Sequence, residues 1–339
     1  MARAVLINSG QANACTGDRG LIDSQRATKA VADQLGLSEQ DVLICSTGVI
    51  GVPIPMDTLL VGIEPLVTAL ASTPEAASAA ADAILTTDLI DKQVALEADL
   101  GGRTVRIGGM AKGSGMIHPD MATMLAFFSC DALVPAQVWQ AMVSRAVQRS
   151  FNSITVDGDT STNDTVLAYA AGEPLDPSHY CALEEGLTEA MQYLGRAIAR
   201  DGEGATLLLE VQVEGAEDEA GARAIARTVC GSSLVKTAVH GRDPNWGRIV
   251  GAAGRAGVAF QPEAVALWLG EYQLMAGGQP LSFDREAAAT YMRERANGDY
   301  LQGDTVVIRL QVGTGSGSAT AWGCDLSDQY VRINADYTT

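Results

Sequence analysis

The stretch His118-Pro119-Asp120-Met121-Ala122-Thr123-Met124-Leu125-Ala126-Phe127-Phe128 changes character in its middle. It begins as a polar turn and ends as an apolar run suited to a buried strand. A small residue, Ala122, and a hydroxyl residue, Thr123, stand at the junction. Threonine suits strands, so a plain strand start is one reading. The sharper reading is that the Ala122–Thr123 bond is cut. A threonine hydroxyl is a poor nucleophile until a base stands beside it, and a free α-amine on the same residue, with a pKa near ~8, is such a base at neutral pH. An internal threonine gains that amine only if the chain is severed before it, and its own hydroxyl can do this by attacking the carbonyl of Ala122. Pro119 and the glycines of Ala111-Lys112-Gly113-Ser114-Gly115 supply the turn such an attack needs.

Outward from this junction, strand-like and helix-like segments mix. Ahead of it, 4–7 and 42–45 are apolar runs. Helical spacing covers 22–35, with Gly36 as its stop. Asp57 is placed to cap a helix reaching 71, and Thr73-Pro74-Glu75 opens another. "VALEADL" (94–100) and "RTVRIGGM" (103–110) flank Gly101-Gly102 as a hairpin would. Beyond Thr123, a strand through 128 precedes a helix over 135–150. A polar loop, "FNSITVDGDTSTNDT" (151–165), leads to a helix ending near 200 and a strand in "DGEGATLLLEVQVEG" (201–215). Two helical stretches are expected to flank "SSLVKTAVHGRDPNWGR" (232–248). The tail "GDTVVIRLQVGTGSGSATAWGCDL" (303–326) alternates like an antiparallel pair. This mixture predicts an α+β fold of helices over mixed or antiparallel sheets.

The totals are compatible with that. The 339 residues suit two lobes or one large layered domain, and a composition 47% hydrophobic but only 5% aromatic implies tight packing on small side chains. A net charge of −18 argues against a nucleic-acid partner. The six cysteines, Cys15, Cys45, Cys130, Cys181, Cys230 and Cys324, form no CxxC pair and read as buried thiols of a reducing compartment. Neither a signal segment nor a run of eighteen apolar residues occurs, so the expectation is a cytoplasmic protein without a membrane partner.

Other motifs fall away. Asp157, Asp159, Ser161 and Asn163 have the alternate spacing of a calcium loop, but Thr162 replaces its glycine and Ala168 its glutamate. His118, His179 and His240 are far apart, which leaves a histidine metal site or a Ser-His-Asp triad without support. "AKGSG" has its lysine on the wrong side of the glycine for a phosphate loop, and "GAAGRAG" (251–257) lacks a dinucleotide fingerprint's spacing.

"KGSGMIHPDMATMLAFFSCDA" (112–132) closely resembles the self-cleavage segment of the ornithine acetyltransferases, the bifunctional glutamate N-acetyltransferases of arginine biosynthesis. "NSGQANACTG" (8–17), "CSTGVIGVPIPMD" (45–57), "SFNSITVDGDTSTNDT" (150–165), "DGEGAT" (201–206), "LVKTAVHGRDPNWGRI" (234–249) and "INADYTT" (333–339) resemble further signatures of that family, in its order. The resemblance implies a large layered helix/sheet/sheet/helix architecture, and an α chain 1–122 and a β chain 123–339 in one intertwined unit. Thr123 would be the nucleophile, and Thr47 and Gly48 the oxyanion hole, where an N–H and a hydroxyl meet developing charge. Lys112, Glu203, Asn334 and Thr339 would join Thr123 in holding substrate. Residues 157–165 and 243–248 would wall the site.

The implied reaction moves an acetyl group from N-acetylornithine to Thr123 and then to glutamate, with no metal or organic cofactor. Some members also take acetyl-CoA, and cut chains pair as α2β2. Family members carry a further segment ahead of the first motif, so the natural product is expected to begin upstream of Met1. Gln11 stands where asparagine or glycine is usual. A self-cleaving amidase or aminopeptidase, or an inactive truncated relic, are the other readings of the same residues.

Overall fold

The computed structural model describes residues 2–118 and 124–336. Three sheets organise the described residues. The first pairs β1 (Ala4–Gln11) with β2 (Val42–Val49) in parallel. Its connection, α1 (Gly17–Leu35), ends at Gly36 in the left-handed conformation with φ 63°, which glycine takes without cost. α2 (Met56–Thr68) packs on α1. Pro55, rather than Asp57, stands at its N-cap, and Asp57 lies in the first turn, where a carboxylate favours the helix dipole. α3 (Pro74–Ala83) starts as expected, with the Thr73 hydroxyl accepting from Ala76 N.

The second sheet has the order β3 (Lys92–Asp99), β4 (Thr104–Lys112), β5 (Leu125–Leu133), β6 (Thr165–Pro174). Gly101 and Gly102, at φ 72° and 83°, turn the β3–β4 hairpin. β4 and β5 are antiparallel, with Lys112 opposite Leu125, so a strand from before Thr123 is zipped to one from after it. β6 joins β5 in parallel by way of α4 (Ala136–Gln148). Of the expected polar loop, residues 151–156 are buried under the following helix, α5 (Tyr180–Arg200); only the part from Asp157 onward is open.

The third sheet contains β7 (Leu208–Ala216), β8 (Ala266–Leu269), β9 (Tyr272–Ala276), β10 (Gln279–Pro280), β11 (Thr305–Gln311) and β12 (Gly317–Cys324). Its order, β10-β9-β8-β11-β7-β12, corrects the expected tail hairpin. β7 inserts between β11 and β12, parallel to one and antiparallel to the other. The stretch expected between two helices is itself helical. α6 (Glu219–Cys230) precedes it, and it supplies α7 (Ser233–His240) and the start of α8 (Trp246–Gly254). α9 (Arg285–Ala296) and α10 (Asp328–Asp336) are the last two described helices.

The result is the α+β layered class. α5 lies between the second and third sheets, and its buried Leu187, Met191, Leu194 and Ile198 join Phe128, Phe151 and Trp322 in one core. α6 and α8 cover the opposite face of the third sheet in a second core. No described helix is long and apolar enough to cross a membrane. Cys45, Cys130, Cys230 and Cys324 are buried, whereas Cys15 and Cys181 are exposed, which corrects the expectation for those two.

One buried ionic network ties these layers. Lys92, with its side chain fully enclosed, bonds Asp88 at 2.9 Å and Asp201 at 2.6 Å. Removing one member of such a network leaves uncompensated charge in the interior. Lys92→Ala is therefore expected to cost about 3–5 kcal/mol, seen as a lowered midpoint of chemical denaturation.

Candidate active site

The first wall of the site is the end of β2. Its apolar pattern stops at Cys45, but the strand continues because Ser9 and Gly10 of β1 pair with Thr47 and Gly48. At Gly48 φ is +126°, and an added Cβ would lie 2.3 Å from the carbonyl carbon of Gly10. Only glycine lets the backbones approach this closely. Asn163 fastens the polar loop to the same corner, donating from Nδ2 to Ala12 O at 2.5 Å and Ser46 O at 2.9 Å.

Lys112 ends β4 and is buried. Its Nζ donates to Thr86 Oγ1 at 2.8 Å and lies 3.3 Å from Asp88 Oδ2. Burial alone would push the Asp88 carboxyl up. Lys112, Lys92 and the N–H of Gly113 outweigh it and hold the group down at about 2. The ammonium charge of Lys112 is thus matched by a permanent carboxylate, and it faces the site as an oriented donor more than as a free cation.

The opposite wall is acidic. Glu203, just past α5, lies against Gly115, where a Cβ would come within 2.5 Å of its carboxyl group. Asn334 of α10 donates to Glu203 Oε2 at 2.7 Å. Asp157 accepts from Met116 N at 2.6 Å and Ile117 N at 2.9 Å. Burial raises its pKa above the ordinary carboxylate value, although backbone N–H donors pull the other way. Tyr330 is pushed up too, first by burial and then by the nearby carboxylates Asp157 and Glu203.

Thr47, Gly48, Lys112, Glu203 and Asn334 all line one cleft of about 340 Å³, a size suited to a small ligand. Asp157, Asp159, Thr160, Ser161 and Asn163 wall it, as the resemblance implied. Residues 243–248 do not reach it. They serve α8 instead: Asn245 caps the helix through Arg248 N, and Asp243 pairs with Arg285. Ala122, Thr123 and Thr339 lie outside the described residues. Sequence reading missed Thr86, Thr87 and Tyr330 in the lining and Asp88 behind it. A larger groove, about 520 Å³, crosses the polar face of the third sheet at Glu210, Gln212 and Thr320, but holds none of the candidate residues. Among the described residues, no cluster of three or more His, Cys, Asp or Glu side chains could hold a metal ion.

Comparison with known proteins gives this arrangement a context. The family model described as the ArgJ family matches residues 1–339. The arginine biosynthesis bifunctional protein ArgJ of Parasynechococcus marenigrum (strain WH8102) is 73% identical over 338 residues, which are 100% of this chain and 80% of that protein. The protein of the same name from Prochlorococcus marinus (strain MIT 9313) is 71% identical, covering 100% of this chain and 79% of its own length. A crystal structure of arginine biosynthesis bifunctional protein argJ from Bacillus halodurans is similar at a TM-score of 0.57 and 39% identity, matching 62% of this chain and 97% of its own. Since 62% of 339 residues is about 210, that solved chain has about 215 residues. The curated relative is about 420 long, 338 residues being 80% of it.

Proposed function

The chain belongs to the ArgJ family, and from that premise we propose that it moves an acetyl group from N-acetylornithine to glutamate through an acetyl ester on Thr123, a step of arginine biosynthesis. The observation that carries the reading is the convergence of Thr47, Gly48, Lys112, Glu203 and Asn334 on one cleft, beside the strand that begins at Leu125.

The chain first cuts itself. Thr123 Oγ attacks the Ala122 carbonyl carbon, the C–N bond breaks, and the hydroxyl proton ends on the new amine. Water then hydrolyses the resulting ester and leaves a carboxylate on Ala122. The length of the solved relative supports this. Its chain of about 215 residues is close to the 217 from Thr123 to Thr339, and a 62% match exceeds the 122 residues ahead of Thr123.

In the transfer, the Thr123 amine takes the hydroxyl proton as Oγ attacks the acetyl carbonyl. The tetrahedral oxyanion is met by Gly48 N–H and the Thr47 hydroxyl, donors fixed in advance by the β1–β2 register. Collapse expels ornithine, whose amine recovers the proton, and the glutamate amine then attacks the ester by the same steps in reverse. The acidic wall of Glu203 and Asp159 attracts ammonium groups, while Lys112 donates to carboxylates. No step calls for a metal or an organic cofactor. Acetyl-CoA as a further donor, Thr339 as a substrate contact, α2β2 assembly and a cytoplasmic location belong to the same reading.

The test is the fate of the ester. With N-acetylornithine alone, the fragment starting at Thr123 should gain one acetyl mass, and glutamate should remove it as N-acetylglutamate with ping-pong kinetics. Loss of the acetyl group equally fast without glutamate would make the protein an amidase instead.

A further inference from the structure

The three residues ahead of the proposed cleavage region are held unusually hard. Met116 N and Ile117 N donate to the two oxygens of Asp157, at 2.6 and 2.9 Å. Ile117 O accepts from Val156 N at 2.6 Å. His118 Nδ1 lies 2.9 Å from Thr155 Oγ1, and its carbonyl accepts from Thr160 Oγ1 at 3.1 Å. The strip 155–157 is itself anchored: Thr155 N donates to Trp322 O at 2.9 Å, and the buried ammonium of Lys236 donates to Val156 O. Two groups of bonds therefore run in series, from the floor of the protein to 155–157 and from there to 116–118.

Met116 explains why such holding is needed. Its φ is +56°, a region that costs any residue with a side chain. Gly113 and Gly115 stand nearby, so glycine is not foreign to this run, yet a methionine occupies this left-handed position, which also lines the cleft. Something must offset the backbone cost, and the two bonds to Asp157 are where it is offset.

We propose that Asp157 is a positioning residue for self-cleavage: its carboxylate clamps the N–H groups of Met116 and Ile117 and so fixes the left-handed turn from which the chain runs to the Ala122–Thr123 bond. This deepens the self-cleavage reading and rests on it. A carboxylate is required because both oxygens accept; an asparagine offers one acceptor and turns an N–H against the other donor. After the cut, the same clamp keeps Met116 in the wall of the cleft.

The experiment follows cleavage of freshly purified full chain by intact mass over time. Asp157→Asn should slow it by roughly ten- to a hundredfold, the range for losing a charge-assisted hydrogen bond. Met116→Gly in the Asp157→Asn background should restore much of the rate, because glycine takes φ +56° without help. Thermal midpoints of both variants report any general loss of fold separately. Asp157→Asn cutting at the wild-type rate, or a double variant no faster than Asp157→Asn, overturns the proposal while leaving self-cleavage standing. A wild-type chain that never cuts overturns both.

Discussion

Thr123→Ala is expected to give a chain that stays in one piece and accepts no acetyl group. The expectation follows from giving one hydroxyl two jobs. In the proposed reaction it severs the bond before it, and the amine so released becomes its base for transfer. Removing the hydroxyl removes the first event and with it the second, so the loss in transfer should reach the limit of detection and not a fixed factor. Intact mass reports the first, and acetyl labelling with N-acetylornithine reports the second. Thr123→Ser keeps the hydroxyl and is expected to cut but to transfer poorly. An Ala variant that still splits would place the scissile bond elsewhere and sink the assignment.

Gly48→Ala should be nearly as damaging, for a different reason. The new Cβ would lie 2.3 Å from Gly10, on a backbone at φ +126° that side chains rarely adopt. Either β1 and β2 separate or the peptide at 48 turns, and both misplace the N–H aimed at the oxyanion. Loss of one such donor costs ~10²–10³ in rate, so cutting and transfer should both fall by at least ~100-fold. Thr47→Val tests the companion donor with little change of shape and should reduce both rates in the same direction. If Gly48→Ala transfers within a few-fold of wild type, the oxyanion donors lie elsewhere.

Much of this was legible in the sequence where the signal is local. The Gly36 stop, the Thr73-Pro74 start and the Gly101-Gly102 turn each depend on neighbours within a few residues, and each is where expected. The tail was not, because alternation says that 305–311 and 317–324 are strands but not that β7 comes between them. Thr47 and Gly48 look like a loop until β1 is laid beside them. Lys112 looks solvated because nothing near it announces Asp88, and the Asp88–Lys92 spacing suggests a helical pair where the chain has no helix. Asp57 fits a cap, but Pro55 stands at the N-cap position. Five of the candidate residues were found through the resemblance and are together in the cleft; their charged partners behind it required the fold.

The β4–β5 pairing has a consequence for the life of the molecule. Lys112 lies opposite Leu125, and Lys92 is bonded to Asp201, so the strongest ties in this region join residues on opposite sides of the Ala122–Thr123 bond. An uncut chain can melt and recover by itself, because its two parts never drift apart. Once the bond is broken, recovery becomes a meeting of two molecules. Its speed then depends on dilution, and each part alone would present an unpaired strand edge to other chains. In the proposed reaction cutting would therefore work as a ratchet, with the fold complete before the hydroxyl acts and with heat or denaturant afterwards taking the protein down a road it does not readily retrace.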